Sequence, residues 1–198
     1  MKRLAIVLLS IATAMAGDKD KVHFTSGPAS SYPGHQTLDK ITIAAVPFTT
    51  EEQAASAFGK ANPYKYGILP VLVVIQNDTG KAIKLDLKAE FEDPRGQHLD
   101  AMATADVVLW DGASNASWKT GSTPSPLPIP RRKVKKGPLH VPEIEGLAFS
   151  AKLIPPGDSV RGFFYFQTQN LPGSKIYLTG LKDAASGKDY FYFEVPLE

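Results

Sequence analysis

Residues 147–170, LAFSAKLIPPGDSVRGFFYFQTQN, carry the pattern on which the fold turns. Leu147, Phe149, Ala151 and Leu153 alternate with Ala148, Ser150, Lys152 and Ile154, the period of two expected of a strand with one face against a core. Pro155-Pro156-Gly157-Asp158 interrupts the pattern, because proline cannot donate to a ladder and Pro-Gly suits a turn with positive φ at its second central residue. Over 160–168 the chain is again apolar, with Phe163, Phe164, Tyr165 and Phe166 in succession. Two strands folded back on one turn are expected. The second carries rings on both faces and is expected at the centre of its sheet.

The same alternation recurs upstream. In 82–92, Ile83, Leu85, Leu87, Ala89 and Phe91 alternate with Lys84, Asp86, Lys88, Glu90 and Glu92. Before it, 66–77 (YGILPVLVVIQN) is a β-branched run closed by the turn formers Asn77-Asp78-Thr79-Gly80, so the two are expected to pair as a hairpin. Further strands are expected at 40–48, 175–181 and 190–197, with a short one at 106–110 and a turn at Asp93-Pro94-Arg95-Gly96. Thr50 and Gln53 fit a capping box that opens a short helix before Gly59, read as a connector between strands. With 16 Gly and 16 Pro in 198 residues, many short strands joined by turns fit better than a helical bundle. The fold class expected is all-β: an immunoglobulin-like antiparallel β-sandwich of seven to eight strands with one short connecting helix, a small barrel being the alternative. Its core is expected to include Ile83, Leu85, Leu87, Phe91, Phe149, Leu153, Phe164, Phe166, Tyr192 and Val195, with Phe164 the most sensitive position.

The strand ending in Asn77-Asp78-Thr79-Gly80, the run 154–166 (IPPGDSVRGFFYF) and the last strand 190–197 (YFYFEVPL), together with an export signal, resemble secreted bacterial immunoglobulin-like domains of the telokin-like extracellular type. The likeness covers residues 41–197, with the proline-rich loop as an addition. It implies a sandwich fold and a location outside the cytoplasm, and it carries over no site residues.

The export signal itself is read from residues 1–16. Lys2 and Arg3 precede an apolar stretch over 4–11, and Ala14 and Ala16 follow as an A-x-A cleavage site. Residues 17–39 read as a polar lead-in, and 40–198 as one sandwich with a long Pro-rich basic loop at 111–145. Exported and freed of its signal, the chain is expected to be periplasmic or extracellular and to have no membrane span. Loss of Lys2 and Arg3 leaves 20 cations against 20 carboxylates, so attraction to nucleic acid or anionic surface has to come from a local patch. With no cysteine, the domain is held by core burial alone, and thiol nucleophiles, thiolate metal sites and a lipoprotein acylation site are excluded.

Catalytic spacing is absent from the sequence. His23, His35, His98 and His140 are scattered, no H-E-x-x-H, G-x-S-x-G, phosphate loop or calcium loop occurs, and pairs such as Glu51-Glu52 or Glu143 and Glu145 are ordinary surface features. No cofactor is expected. The one charge cluster is Arg131, Arg132, Lys133, Lys135 and Lys136, behind the proline run 124–130 and near Trp110 and Trp118. Such runs are usually solvated surface. As a site, these five cations and Trp118 would meet an anionic polymer or the acidic face of an envelope protein, without specific nucleic-acid recognition. Asn77-Asp78-Thr79 and Asn115-Ala116-Ser117 match the glycosylation pattern but read as coincidence. The reading as a whole is a non-catalytic exported binding or structural module of the cell envelope; the alternative is a secreted hydrolase or metal-binding protein whose site is assembled only by the fold.

Overall fold

Two kinds of apolar run decide how the layers stack. In β3 (Leu69–Asn77) nearly every side chain is buried, whereas in β4 (Ile83–Glu92) buried and exposed positions alternate. A continuous run needs cover on both faces and an alternating one on a single face. The computed structural model, which describes residues 24–110 and 137–198, satisfies both demands with three layers.

The middle layer is a four-stranded antiparallel sheet, ordered β1 (His35–Leu38), β2 (Ile41–Pro47), β3, β7 (Ser159–Phe166). Against its inner face lies a second antiparallel sheet of five strands: β5 (His98–Asp100), β4, β8 (Lys175–Asp183) and β9 (Tyr192–Pro196), with β6 (Leu153–Ile154) also on β4. Ile43, Val71, Val73 and Phe166 meet Leu85, Phe91, Ile176, Leu178, Phe193 and Val195 between the sheets. The outer face of the four-stranded sheet is roofed by α1 (Glu51–Phe58), α2 (Thr104–Val108) and α3 (Pro142–Gly146). Ala57, Phe58, Val107 and Ile144 close over Leu72, Val74, Phe163 and Tyr165, forming a second core. Over the described residues the protein is therefore mostly β, with two packed antiparallel sheets of nine strands and three short α-helices, against the seven or eight strands and one helix that the sequence led us to expect.

The capping box forms as expected: Thr50 Oγ1 accepts from Gln53 N at 3.2 Å, and Gln53 Oε1 accepts from Thr50 N at 3.1 Å. The helix it opens is more than a connector, because Ala54, Ala57 and Phe58 are buried. Residues 106–110, expected as a strand, belong instead largely to α2, which buries Val107 and Val108 in the second core. Over its described part, residues 24–39, the polar lead-in is structured, with Phe24 against Phe48 and Phe163, Ala29 fully buried, and β1 on the sheet edge.

The expected β3–β4 hairpin does not form. Both flanks of β3 are taken by β2 and β7, so the turn after Asn77 carries the chain across to the other sheet. Asn77 makes that crossing a fixed joint. Its fully buried side-chain Nδ2 donates to Lys81 O, Ile154 O and Pro155 O at 2.7, 3.1 and 3.0 Å, and its Oδ1 accepts from Thr79 N and Oγ1. A side chain so enclosed has no room for a glycan, in keeping with the reading of this Asn-Asp-Thr as coincidence.

Residues 147–154 also depart from a simple hairpin arm. The turn at Pro155–Asp158 forms, with Gly157 at φ 78°. The arm, however, begins as a parallel bridge between Ala148 and Phe163 on the first sheet and ends as β6 on the second. Changing sheets breaks the alternation, so Leu153 is 51% exposed and Ile154 is buried instead. β7 is consequently the last strand of its sheet rather than a central one. Its two-sided rings are explained by cover from both layers: Phe166 faces the inter-sheet core, and Phe163 and Tyr165 face the helices.

Candidate functional site

Among the described residues, one broad sheet face is left without a covering layer, the outward face of β5-β4-β8-β9. Its residues follow from strand parity. With Ala89, Phe91, Ile176, Leu178, Phe193 and Val195 directed inward, Lys88, Glu90, Lys175, Tyr177, Thr179, Tyr192 and Glu194 stand outward. Glu90 pairs with Tyr177 in register, Lys88 with Thr179, and Thr179 with Tyr192.

Midway along the sheet the β4–β8 register slips between Leu85 and Lys88, opposite Gly180. Gly180 has φ 89°, and a Cβ there would overlap the Asp86 carbonyl, so only glycine fits this bulge. A bulge bends a strand, and here it opens a hollow of about 450 Å³ lined by Asp86, Lys88, Thr179, Gly180, Lys182, Asp189 and Phe191. Lys88 and Thr179 also line a neighbouring hollow of about 250 Å³, with Glu90, His98, Tyr177 and Tyr192, so the two join as one groove across the sheet.

Rings are set along this groove at near-even intervals. His98 lies 5.7 Å from Tyr177, and Tyr177 lies 6.1 Å from Tyr192, centroid to centroid. Beyond them Phe191 is 77% exposed and held at φ 49°, a backbone conformation that bulky side chains rarely adopt. The charges are mixed. Lys175 pairs with Glu194, Lys182 with Asp189 at 3.6 Å, and His98 Nδ1 stands 3.5 Å from Glu90. The Glu92 carboxylate, then partial burial, then Glu194, push the Tyr177 phenol up, so it remains a hydrogen-bond donor across the physiological range. The Lys175 ammonium holds Glu194 below the usual carboxylate range.

A second opening lies at the side of the sandwich, where residues 101–102 and 149–152 pass between the sheets. Ala101 N donates to Ala89 O and Met102 N to Tyr165 O; Phe149 N donates to Phe163 O and Leu85 N to Lys152 O. Between these crossings a cleft of about 600 Å³ is lined by Leu87, Phe149 and Phe164 among others. Phe149 and Phe164 stack there at 5.3 Å and 13°. Phe164 thus faces the expected way but is only half-buried, and the fully buried ring beside it is Phe163.

The comparisons with known proteins add little to this geometry. No protein-family model matches the chain. Over 63 residues, 32% of this chain, it is 38% identical to the trafficking protein particle complex II-specific subunit 120 homolog of Arabidopsis thaliana, of which that match spans 5%. Among solved structures it is similar to Northeast Structural Genomics Consortium target SoR45, at 12% identity and a TM-score of 0.33 over 81% of this chain and 83% of that one.

The cations expected to form a site, Arg131, Arg132, Lys133, Lys135 and Lys136, lie with Trp118 outside the described residues. Of the histidines, His35 Nδ1 is 2.6 Å from Tyr32 O, and His98 belongs to the groove. Among the described residues no group of three or more His, Asp or Glu is placed to hold a metal ion. Sequence reasoning missed the groove. Tyr192, expected in the core, is 57% exposed because it shares a face with Glu194, while Phe193 and Val195 turn inward. The signal available was the phase of 190–197, in which Val195 fixes Phe193 inside and puts Tyr192 out.

Proposed function

We propose that this chain is a non-catalytic binding module of the cell envelope, exported to the periplasm or beyond, and that it recognises its partner on the outward face of the five-stranded sheet. In this reading the two-sheet body is an immunoglobulin-like sandwich used as a scaffold. The observation that carries it is the asymmetry of cover. The four-stranded sheet is roofed by the chain's own helices, whereas the five-stranded sheet turns a groove with Tyr177, Tyr192 and Phe191 to solvent. Rings with polar tips on a rigid sheet suit binding, since they contribute large contact area with few rotors to fix.

The test compares three proteins for retention on an insoluble envelope fraction: the parent chain, the Tyr177→Ala/Tyr192→Ala double variant, and a variant with Arg131, Arg132, Lys133, Lys135 and Lys136 all changed to serine. Retention of the parent and serine variants with loss of the double variant supports the sheet face. Loss confined to the serine variant transfers recognition to the basic run, and turnover of envelope polymer by the parent protein overturns the non-catalytic reading.

A further inference from the structure

Resting on that reading, we infer that the groove on the five-stranded sheet takes a neutral oligosaccharide. The ligand class follows from the interleaving of charges of both signs and from ring placement. Lys88 and Lys182 stand against Asp86, Glu90 and Asp189 along the groove, with Lys182 on Asp189 and Glu90 beside His98. Charges so interleaved and partly self-paired offer neither an anion nor a cation a concentrated field. They do offer closely spaced donors and acceptors, and a hydroxyl is the group that can both give and receive a hydrogen bond. Thr179 on the floor adds a neutral partner of the same kind.

The rings supply the other half of the recognition. A pyranose has polar edges and faces of C–H bonds, and such a face packs on the electron-rich face of an aromatic ring. His98, Tyr177 and Tyr192 follow one another at 5.7 and 6.1 Å across the sheet, with Phe191 at the far hollow, an arrangement suited to successive sugar rings of an extended chain. Phe191 follows from a local break in the strand: its left-handed backbone lets Tyr190 and Phe193, three residues apart, both turn into the core, and leaves the 191 ring in solvent beside the hollow. The adjoining hollows, at about 450 and 250 Å³, are of small-ligand size.

Native-gel affinity electrophoresis of the full chain in soluble neutral glucans, xylans and mannans, followed by calorimetry with short oligosaccharides of any polymer that retards it, tests the inference. We expect retardation by at least one polymer, with Tyr192→Ala and Phe191→Ala each weakening binding about tenfold. Thr179→Tyr, which fills the groove while keeping every ring, should abolish it. Affinity should hold steady from about 0.05 to about 0.5 M salt, whereas an anionic polymer would be released steeply. Unchanged melting and near-ultraviolet dichroism of the variants show that the fold is intact. No retardation by any neutral polymer, retardation that survives all three substitutions, or steep salt dependence would each overturn the saccharide. If envelope retention still requires Tyr177 and Tyr192 while no saccharide binds, the recognition face stands and only the ligand class fails.

Discussion

Asn77 is the side chain whose removal tests the architecture most directly, because it joins the end of β3, the turn into β4 and the turn between β6 and β7. Its two N–H groups serve three main-chain carbonyls, and its oxygen receives Thr79 twice. Asn77→Ala removes all five bonds at a residue of zero exposure, although Lys81 O keeps Thr79 Oγ1 and Pro155 O keeps Asp158 N. A hydrogen bond contributes about 0.5–1.5 kcal/mol net, so loss of the five should cost about 4 kcal/mol after local relaxation. With a urea m-value of about 2 kcal/mol/M, the unfolding midpoint should fall by about 2 M. Asn77→Asp keeps the shape but turns an oxygen toward three carbonyls, so the carboxyl is held above its unfolded value of about 3.9. The folded state then binds more protons than the unfolded one, and stability falls as pH rises from about 4 until the folded pKa is passed. Urea titrations followed by circular dichroism at acid and neutral pH measure both effects. A midpoint within about 0.3 M of the parent for Asn77→Ala, or an Asn77→Asp penalty independent of pH, would refute the assignment of Asn77 as the joint.

The other expectations concern packing, the bulge and one carboxylate. Phe163→Ala, in contact with the rings of Phe48 and Phe58, should cost about 3–5 kcal/mol, and Phe164→Ala about half as much, in denaturant unfolding of both variants. Gly180→Ala should lower stability by at least about 2 kcal/mol, since φ 89° and the overlap with the Asp86 carbonyl act together, and closure of the groove should appear as lost ligand binding. Asp183 is held well below the usual carboxylate range by the backbone N–H of Ser186 and by Lys81, with the Ala185 N–H in support. Its stabilising contribution is therefore complete above the unfolded value and lost as pH falls below about 4, and Asp183→Asn should flatten the acid limb of a melting-temperature profile.

The layers were legible wherever a strand stays in one sheet. β4 alternates through all ten residues, with Ile83, Leu85 and Phe91 buried as the sequence implied, and the turns at 93–96 and 155–158 form where their Pro and Gly stand. Legibility failed where the chain changes partners. Period two cannot reveal that residues 147–154 leave one sheet for the other, because alternation reports two faces and not which neighbour supplies the cover. The same limit hid the helical roof. The continuous apolar runs of β2 and β3 imply cover on both faces, but of the segments that supply it only α1 announces itself, by its capping box, while those around Val107 and Ile144 are too short for a helical period to register. The groove was invisible for a third reason: it needs the bulge at Gly180 and the register of four strands to bring His98, Tyr177 and Tyr192 together across long stretches of sequence.

Strand parity also separates what the fold requires from what it merely allows. Inward positions such as Phe91, Leu178 and Phe193 are fixed by volume, since a smaller residue leaves a cavity and a larger one strains the sheets. Outward positions have no such demand, and threonine, lysine or glutamate there would serve the strands equally well. Single exposed rings need no special cause. At 191 and 192, however, two adjacent aromatic side chains stand in solvent, one on a strained backbone, beside a third ring at 177 and over a hollow that the Gly180 bulge opens. Burial accounts for Tyr177 in part, but the Phe191 ring loses little of its surface to the core. Under the proposal made above, such rings serve contact with a partner outside the chain, recognised by shape and hydroxyl chemistry more than by field.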